Sequence, residues 1–579
     1  MTVDNLPADS IEPNPIIDPQ ITSQAETNAG VARATGVLAL GNVGSRILGL
    51  VREIVIANLF GASAAVEAFN VAILVPKNVY DLLIGGHVNG AIIPVLSEIV
   101  EVKGKDELWR LVSILLSMVT IVLALLVLLL ELGAPLVVSV IGAGFDEYTT
   151  NLAINLLRIT SPALIFMGLF AIISGALYAL KVFLWPAFAT MMFNGAIVVI
   201  ALLFSPAPRF VLAASADAIH TLPVWTSARP GSGIVVVAVG WVIGSIAYLL
   251  LQLPGLRDAK LRFTLIWRNP ALRTIAMLYV PVMFSLILDT LVVRLFSYNL
   301  ASRSEIVGAI GIMNWGTTLI QFPQGLVATA ISIAILPTLS RQAALINQSE
   351  TAHETLSDEN KVAFKETLGI GVRLALALII PAAVGLYVLA TPIIVLIFQH
   401  GAFNADATFA TTIVLRLYLF GLPFAAIDLL LVYAFYARQD TLTPAVVGFG
   451  SLTCYMLVAI ALFPRYGLYS LMIADSVKHV VHTLTSAYLL NRRVNGLGDR
   501  RLWLTLTKTL FAAIIMGGVA YVSLNNLDSV FDGGGLLNEL LLVVACGGLS
   551  GLAFVVVASI LKVEEWRWIT NLVLSRLRR

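Results

Sequence analysis

Long uninterrupted apolar runs constrain what this chain can fold into more than any other feature. Four of them are VSILLSMVTIVLALLVLLLELG (112–133), FNGAIVVIALLF (193–204), GIVVVAVGWVIGSIAYLLL (233–251) and LLLVVACGGLSGLAFVVVASIL (540–561). About 20 apolar residues cross the hydrocarbon core of a bilayer as a helix, and only helices or closed barrels satisfy the backbone there. The chain is 59% hydrophobic and 12% charged, whereas soluble domains carry about 25% charged residues. We therefore predict an all-α polytopic membrane protein.

Apolar runs and the turn signals between them predict fourteen transmembrane helices. Their centres lie near residues 48, 82, 121, 165, 194, 242, 286, 325, 380, 421, 453, 479, 514 and 550. If the N-terminus is inside, most lysines and arginines fall in the segments on the cytoplasmic side. Because basic residues concentrate on that side of membrane proteins, both termini are predicted to be cytoplasmic.

A faint internal repeat predicts how the helices are grouped. The predicted second and eighth helices end in IIPVLSE (92–98) and AILPTLSR (334–341), six helices apart and in the same orientation. Repeats related in this way indicate two six-helix lobes. The predicted divisions are a disordered cytoplasmic tail (1–31), an N-lobe (32–255), a C-lobe (256–495), two C-terminal helices (496–562) and a basic cytoplasmic tail (563–579).

Motifs of catalysis and of metal binding do not occur in this sequence. It contains no HExxH, GxSxG or phosphate-cradling glycine loop, and its two cysteines, Cys454 and Cys546, fit no disulfide or metal spacing. The chain is therefore not expected to be an enzyme, and neither a cofactor nor a metal is expected.

Charged residues inside the predicted first helix are the clearest functional signal. Arg46, Arg52 and Glu53 interrupt GNVGSRILGLVREIVIANLFG (41–61), and an arginine at the centre of a membrane helix costs about 2.5–3.5 kcal/mol even on the insertion scale. Arg46 and Glu53 share a helical face and are candidates for a structural pair with a partner helix, whereas Arg52 points elsewhere.

Further ionisable groups occur in other helices, and each also has a structural interpretation. Asp475 with Lys478 or His479 has the spacing of a neutralised pair, and Arg294 has the option of reaching the outer interface. The arginines of the first helix are harder to explain in this way, because arginine stays charged and its guanidinium suits phosphate or carboxylate. The physics therefore favours a transporter of an anionic substrate over a channel, whose charges would form rings of one sign.

Several motifs resemble those of the MurJ (MviN) lipid II flippases, within the multidrug/oligosaccharidyl-lipid/polysaccharide exporter superfamily. The opening stretch reads G-x-x-S-R-I-L-G-L-V-R-E-I-V-I-A-x-x-F-G-A. The likeness continues through VEAFNVAILVP (66–76), GAIIPVLSE (90–98), QFPQGLVATAISIAILPTLSRQAA (321–344), QHGAF (399–403) and AFYARQDTLTPA (434–445). The resemblance covers most of the chain from about 33 to 490.

The resemblance implies a flippase of the bacterial inner membrane. Two lobes would alternate in access and carry an undecaprenyl-diphosphate-linked disaccharide-pentapeptide, and a lipid-accessible groove would lie beside the last two helices. Expected partners are this substrate, membrane lipids and proteins of cell-wall synthesis; nucleic acid is not expected. The implied substrate-binding residues are Ser45, Arg46, Arg52 and Glu67. Candidates for the cavity or for ion coupling are Glu53, Lys77, Asp289 and Arg294, and the hinge candidates are Pro76, Gly85 and Gly86.

The chain departs from the family pattern at polar positions of the cavity. Tyr80 stands where the second helix typically has an arginine, and Thr317 and Thr318 replace a charged pair. These losses leave open a flippase for another polyprenyl-linked glycan, and a non-transporting scaffold for cell-wall enzymes is a further alternative. A drug/cation antiporter is disfavoured because this cavity leans basic. No ATP motif is present, so the expected drive is an ion gradient, the membrane potential or substrate flux.

Overall fold

The computed structural model consists of helices joined by short connections. It describes residues 19–84, 87–204, 230–264, 293–352, 356–494, 496, 500–531 and 535–567. No β-strand occurs in these ranges, as expected for a chain whose backbone must be satisfied within each membrane-crossing segment.

The α-helices fall into an N-terminal and a C-terminal series. The first series is α1 (Pro19–Phe60), α2 (Ala64–Ile84), α3 (His87–Lys103), α4 (Lys105–Ile141), α5 (Glu147–Thr160), α6 (Ala163–Ala179), α7 (Leu184–Phe204) and α8 (Pro230–Leu250). The second is α9 (Val293–Ser302), α10 (Ala309–Pro323), α11 (Thr329–Ala352), α12 (Leu356–Val388), α13 (Ala390–Phe398), α14 (Ala405–Leu419), α15 (Leu422–Ala437), α16 (Leu442–Tyr466), α17 (Tyr469–Arg493), α18 (Arg500–Leu527) and α19 (Leu536–Ile560).

Long apolar helices confirm the membrane class. Within the described residues, nine helical segments are long and apolar enough to cross a bilayer, and α14 with α15 forms a tenth span bent by 44°. These ten coincide with ten of the predicted crossings. The predicted crossings centred on 48, 82 and 479 fall on α1, α2 and α17, which are not among these ten, and the one centred on 286 lies outside the described residues. The total of fourteen therefore stays a prediction.

The structure describes part of each predicted tail. Helix α1 begins at Pro19, so residues 19–31, which we assigned to a disordered tail, are helical. At the other end Val563 is 2% exposed and Glu565 is fully buried, so the predicted tail begins with a packed segment.

Each lobe is built by helices from its own part of the chain. In the N-lobe α1 packs on α7, α7 on α8 and α2 on α5; in the C-lobe α16 packs on α17 and α11 on α12. The two P-x-L-S segments occupy comparable places, since Leu96 and Leu339 are both fully buried, each in the core of its own lobe.

The lobes pack closely at one end of the molecule, which we call the closed end: residues 58–67 of the N-lobe lie against 308–311 and 401–402 of the C-lobe. The amide of Ala402 donates to the carbonyl of Asn58 at 2.8 Å. A Cβ on Gly61, which has φ +59°, would lie 2.2 Å from the carbonyl oxygen of Ala402. Glycine is required there both by the backbone conformation and by the close approach.

Helices α18 and α19 form a hairpin against the outside of the C-lobe. Helix α18 packs along α12, and α19 packs on α13. The contacts include Met516 of α18, Phe554 of α19 and Val384 of α12. The structure thus places the last two helices beside the C-lobe.

Candidate functional site

A polar cavity of about 240 Å³ lies between the two lobes. Helices α1 and α2 form its N-lobe wall, and α9 and α10 form its C-lobe wall. It is lined by Ser45, Arg46, Gly49, Leu50, Arg52, Glu53, Asn70, Ile73, Leu74, Lys77, Asn78, Arg294, Tyr298, Asn314, Thr317, Thr318, Gln321 and Phe322. Four of these described lining residues are cationic and one is a carboxylate, so the cavity is electropositive.

Arg52 is held inside the N-lobe. Its guanidinium donates to Glu53 Oε1 at 2.6 Å and to Asn194 Oδ1 at 2.9 Å, and it lies 5.7 Å from the ring centroid of Trp241. The side chains of Arg52 and Glu53 are 16% and 19% exposed. Charge-assisted hydrogen bonds of this kind are the strong ones, so the structure largely neutralises Arg52 at the cavity wall.

This arrangement differs from the prediction that Arg46 and Glu53 pair with a partner helix. Helical periodicity puts Arg46 and Glu53 on one face, but Glu53 pairs with its neighbour Arg52. Adjacent residues on a helix point about 100° apart. The long arginine side chain nevertheless reaches the carboxylate, because Asn194 of α7 holds the other side of its guanidinium.

Arg46 behaves differently, because it reaches across to the C-lobe. Its Nη1 donates to the backbone carbonyl of Gln321 at 3.3 Å. A Cβ on Gly325 would lie 2.3 Å from the same nitrogen. Gln324–Ala328 forms a π-helical turn after Pro323, a feature often found at functional sites. Among the described residues Arg46 has no carboxylate partner, so its charge remains available in the cavity.

Lys77 and Arg294 complete the cationic lining from opposite walls. Both are exposed, Lys77 on α2 and Arg294 on α9. Lys77 follows Pro76, which is buried inside α2. The cavity therefore has cations on three of its four helices.

Uncharged amides connect the walls, and they were not among the predicted site residues, which are mainly ionisable. Nδ2 of Asn314 on α10 donates to Oδ1 of Asn70 on α2 at 3.2 Å. The Tyr298 hydroxyl donates to Asn314 Oδ1 at 3.1 Å. Thr317 and Thr318 both donate to the Asn314 carbonyl, at 2.9 Å. The usable signal was the presence of amides in otherwise apolar helices, where they tend to link helices.

Glu67 lies at the closed end and is not among the cavity-lining residues. It is 8% exposed, and its Oε1 accepts the amide of Ile310, in the first turn of α10, at 3.5 Å. The N-cap residue Gly308 offers no side chain to this helix. A carboxylate near a helix N-terminus is stabilising, so Glu67 of the N-lobe supplies the capping charge for a C-lobe helix.

The remaining predicted site residues fall into two groups. Ser45 lines the cavity, and its carbonyl accepts Asn194 Nδ2 at 3.4 Å. Asp289, Gly85 and Gly86 lie outside the described residues, as does the side chain of Tyr80. Helix α2 is continuous through Pro76, so the hinge assignment rests on the sequence.

A second polar cluster lies inside the C-lobe. Lys478 and Asp475 form an ion pair at 2.6 Å, with the i,i+3 spacing that the sequence indicated. His482 contacts Asp428, and Tyr455 and Ser297 share a hydrogen bond at 2.7 Å. None of these residues lines the cavity. The described charges in this cluster are compensated by each other, because Lys478 pairs with Asp475 and His482 contacts Asp428.

Comparisons with known proteins agree on one family. The family model described as "Lipid II flippase MurJ" matches residues 56–542. A curated lipid II flippase MurJ of Burkholderia cenocepacia is 28% identical over 87% of this chain and 92% of its own length. A probable lipid II flippase MurJ of Haemophilus influenzae is 27% identical, covering 82% and 89%.

Solved structures show the same fold. The chain matches a structure titled "Lipid II flippase MurJ, inward closed conformation" with a TM-score of 0.70 and 23% identity, over 90% of this chain and 98% of the other. An inward-facing multidrug transporter of the MATE family has a TM-score of 0.58 and 14% identity, covering 78% and 95%. The two-lobed helical architecture is thus shared with both.

Proposed function

Because the chain belongs to the lipid II flippase MurJ family, we propose that it translocates lipid II across the cytoplasmic membrane. Lipid II is the undecaprenyl-diphosphate-linked disaccharide-pentapeptide from which the cell wall is built. The observation that carries the proposal is the electropositive cavity between the lobes. The function is movement of a substrate with no covalent step, so the residues act by binding and release.

The diphosphate is the part of lipid II that suits this cavity. Arg46, Lys77 and Arg294 approach it from three helices, and each supplies donors for charge-assisted bonds to phosphate oxygens. A guanidinium binds phosphate with two parallel bonds, whereas an ammonium acts as a point charge. Arg52 contributes less, because Glu53 already compensates it at 2.6 Å.

The size of the cavity limits what it encloses. Pockets that bury a drug-sized ligand measure about 300–1,000 Å³, and this one is smaller, at about 240 Å³. It therefore holds the charged diphosphate, while the sugars and the peptide extend away from the closed end. The prenyl tail remains in lipid, beside the α18–α19 hairpin.

The close packing of the two lobes at the closed end supports alternating access. The turn between α1 and α2 lies at the closed end, and α2 with α3 leads away from it toward Lys103 and Lys105. Since basic residues mark the cytoplasmic side, the closed end faces the periplasm and the cavity is reached from the cytoplasm. Transport then requires the Asn58–Ala402 and Glu67–Ile310 contacts to break as the lobes rock.

The neutral threonines of α10 favour a second candidate, a flippase for another polyprenyl-linked glycan. The hydroxyls of Thr317 and Thr318 face the cavity but bond within their own helix. A diphosphate glycan without the peptide would present the same anion to Arg46, Lys77 and Arg294. The substrates differ only in groups that lie beyond these cations.

Binding to the purified full-length protein distinguishes the candidates. Lipid II is compared with an undecaprenyl-diphosphate glycan that lacks the peptide, for the wild type, Arg46→Ala and Arg158→Ala. Arg158 is the matched control: it is also an exposed arginine in a helix and also bonds one backbone carbonyl, Glu131 at 3.4 Å, but it does not line the cavity.

The outcomes of this experiment distinguish the candidate functions. Preference for lipid II that Arg46→Ala loses and Arg158→Ala keeps supports the proposal. Equal binding of both lipids shifts the assignment to another glycan. Absence of binding by folded wild-type protein, measured at saturating lipid, overturns both flippase candidates and favours the alternative of a non-transporting scaffold for cell-wall enzymes.

A further inference from the structure

A buried ion pair joins the end of the chain to the C-lobe. Arg373 of α12 donates through Nε to Glu565 Oε1 at 2.8 Å, and the two side chains are 4% and 0% exposed. Thr505 of α18 donates to the same carboxylate, 3.1 Å from each oxygen. One carboxylate that follows α19 is therefore held by groups from both α12 and α18.

The residues around Glu565 hold this segment in place. Val563 is 2% exposed, and Trp566 packs edge-on against Phe554 of α19 at 5.3 Å between ring centroids. The Lys508 ammonium of α18 donates to the carbonyl of Lys562 at 3.4 Å. Residues 562–566 thus fold back onto the hairpin and bring Glu565 to Arg373.

The hairpin packs substantially only against the C-lobe in the described part of the chain. Its partners are α12, along the length of α18, and α13, against α19. At one crossing a Cβ on Gly517 of α18 would lie 3.0 Å from Val384 Cγ1 of α12. Backbones approach this closely only where a small residue allows it.

We propose that the Arg373–Glu565 pair locks the α18–α19 hairpin to the C-lobe, so that the hairpin and the C-lobe move as one body during transport. The inference rests on the proposed alternating access and goes beyond it. It assigns the moving boundary to the N-lobe on one side and the C-lobe with its hairpin on the other. Arg373 and Glu565 are positioning residues, since neither lines the cavity.

Two engineered disulfides of matched geometry test this assignment. The first joins Val384→Cys to Gly517→Cys, within the proposed body. The second joins Val66→Cys to Gly311→Cys across the closed end, where a Cβ on Gly311 would lie 3.2 Å from Val66 Cγ1. Both pairs replace a valine and a glycine of facing helices at a spacing compatible with disulfide geometry. Cys454 and Cys546 are first replaced by alanine.

Lipid II translocation is measured in proteoliposomes, oxidised and reduced, with crosslinking scored by gel mobility. We expect the 384–517 crosslink to form and to leave transport intact, and the 66–311 crosslink to abolish transport until it is reduced. Loss of transport on 384–517 crosslinking, restored by reductant, overturns the single-body assignment, and so does failure of that crosslink to form. Full transport with the 66–311 crosslink in place instead overturns alternating access itself.

The role of the ion pair is tested separately, by the rate of 384–517 crosslinking. Glu565→Gln and Arg373→Met each leave a buried partner uncompensated, whereas the double variant Arg373→Met/Glu565→Leu replaces the pair by apolar groups. We expect slower 384–517 crosslinking in each single variant, recovery in the double variant, and an unchanged 66–311 rate in all three. A fall in both rates would indicate general unfolding and overturn a specific positioning role, as would unchanged 384–517 crosslinking.

Discussion

Replacing Arg52 by alanine should destabilise the protein much more than replacing Arg46, although both arginines belong to the same helix and line the same cavity. Arg52→Ala removes two hydrogen bonds, to Glu53 and Asn194, and a cation–π contact with Trp241. It also leaves the Glu53 carboxylate, 19% exposed, without its cation.

The magnitude follows from the burial of this pair. Removing one partner of a fully buried pair costs about 3–5 kcal/mol, and exposed pairs contribute only about 0–1 kcal/mol. Since Arg52 is 16% exposed, we expect a cost of about 2–3 kcal/mol, between the exposed range and the fully buried range. Arg46 makes one exposed bond to a carbonyl, so Arg46→Ala should cost less than about 0.5 kcal/mol, as for ordinary surface substitutions.

The assay is the half-life of folded protein in detergent at a fixed high temperature, followed by tryptophan fluorescence. If the lost energy appears in the unfolding barrier, about 2 kcal/mol shortens the half-life more than tenfold. In a double-mutant cycle, Arg52→Ala/Glu53→Gln should recover much of the loss, because the stranded charge is gone. Equal half-lives for Arg46→Ala and Arg52→Ala, or strictly additive effects of the two changes in the cycle, would refute the structural assignment of Arg52.

Three further predictions concern the closed end and a connecting loop. Gly61→Ala places a methyl 2.2 Å from the Ala402 carbonyl, so it should open the closed end and speed labelling of an engineered cavity cysteine by an impermeant maleimide from the periplasmic side; slower labelling would contradict this. Glu67→Gln removes the charge at the N-terminus of α10, worth about 0.3–2 kcal/mol. It should raise the same labelling rate, but by a smaller factor than Gly61→Ala. An unchanged labelling rate would contradict the capping role of Glu67. In the loop between α15 and α16, burial raises the pKa of Asp440, but hydrogen bonds from Thr443 and the Arg493 guanidinium outweigh it and lower this pKa below its usual value. Stability from Asp440 is therefore present at neutral pH and lost as the pH falls through the lowered pKa, so Asp440→Asn should lower the thermal midpoint at pH 7 and have little effect at pH 3; an equal effect at both would exclude the charge as the cause.

The amino-acid sequence by itself determined the class, the helices and the family likeness. The length of an apolar run predicts a membrane helix almost without tertiary information. In the bilayer core the backbone hydrogen bonds must be satisfied within the protein, and a single apolar segment does this as a helix. Arg46 could be singled out in the same way, since an always-charged group in an apolar helix has few structural uses. The relation of the lobes was also indicated by the sequence, because Leu96 and Leu339 belong to a repeated P-x-L-S segment.

Only the tertiary structure decided which charges are compensated and by which residue. Periodicity gives the face of a helix but not the side chain that a neighbouring helix brings to it. For this reason the sequence could not show that Asn194 holds Arg52 against Glu53, or that Glu67 caps a helix of the other lobe. Arg373 and Glu565 are 192 residues apart, and the energy of such a pair depends on distance and burial, which exist only once the chain has folded.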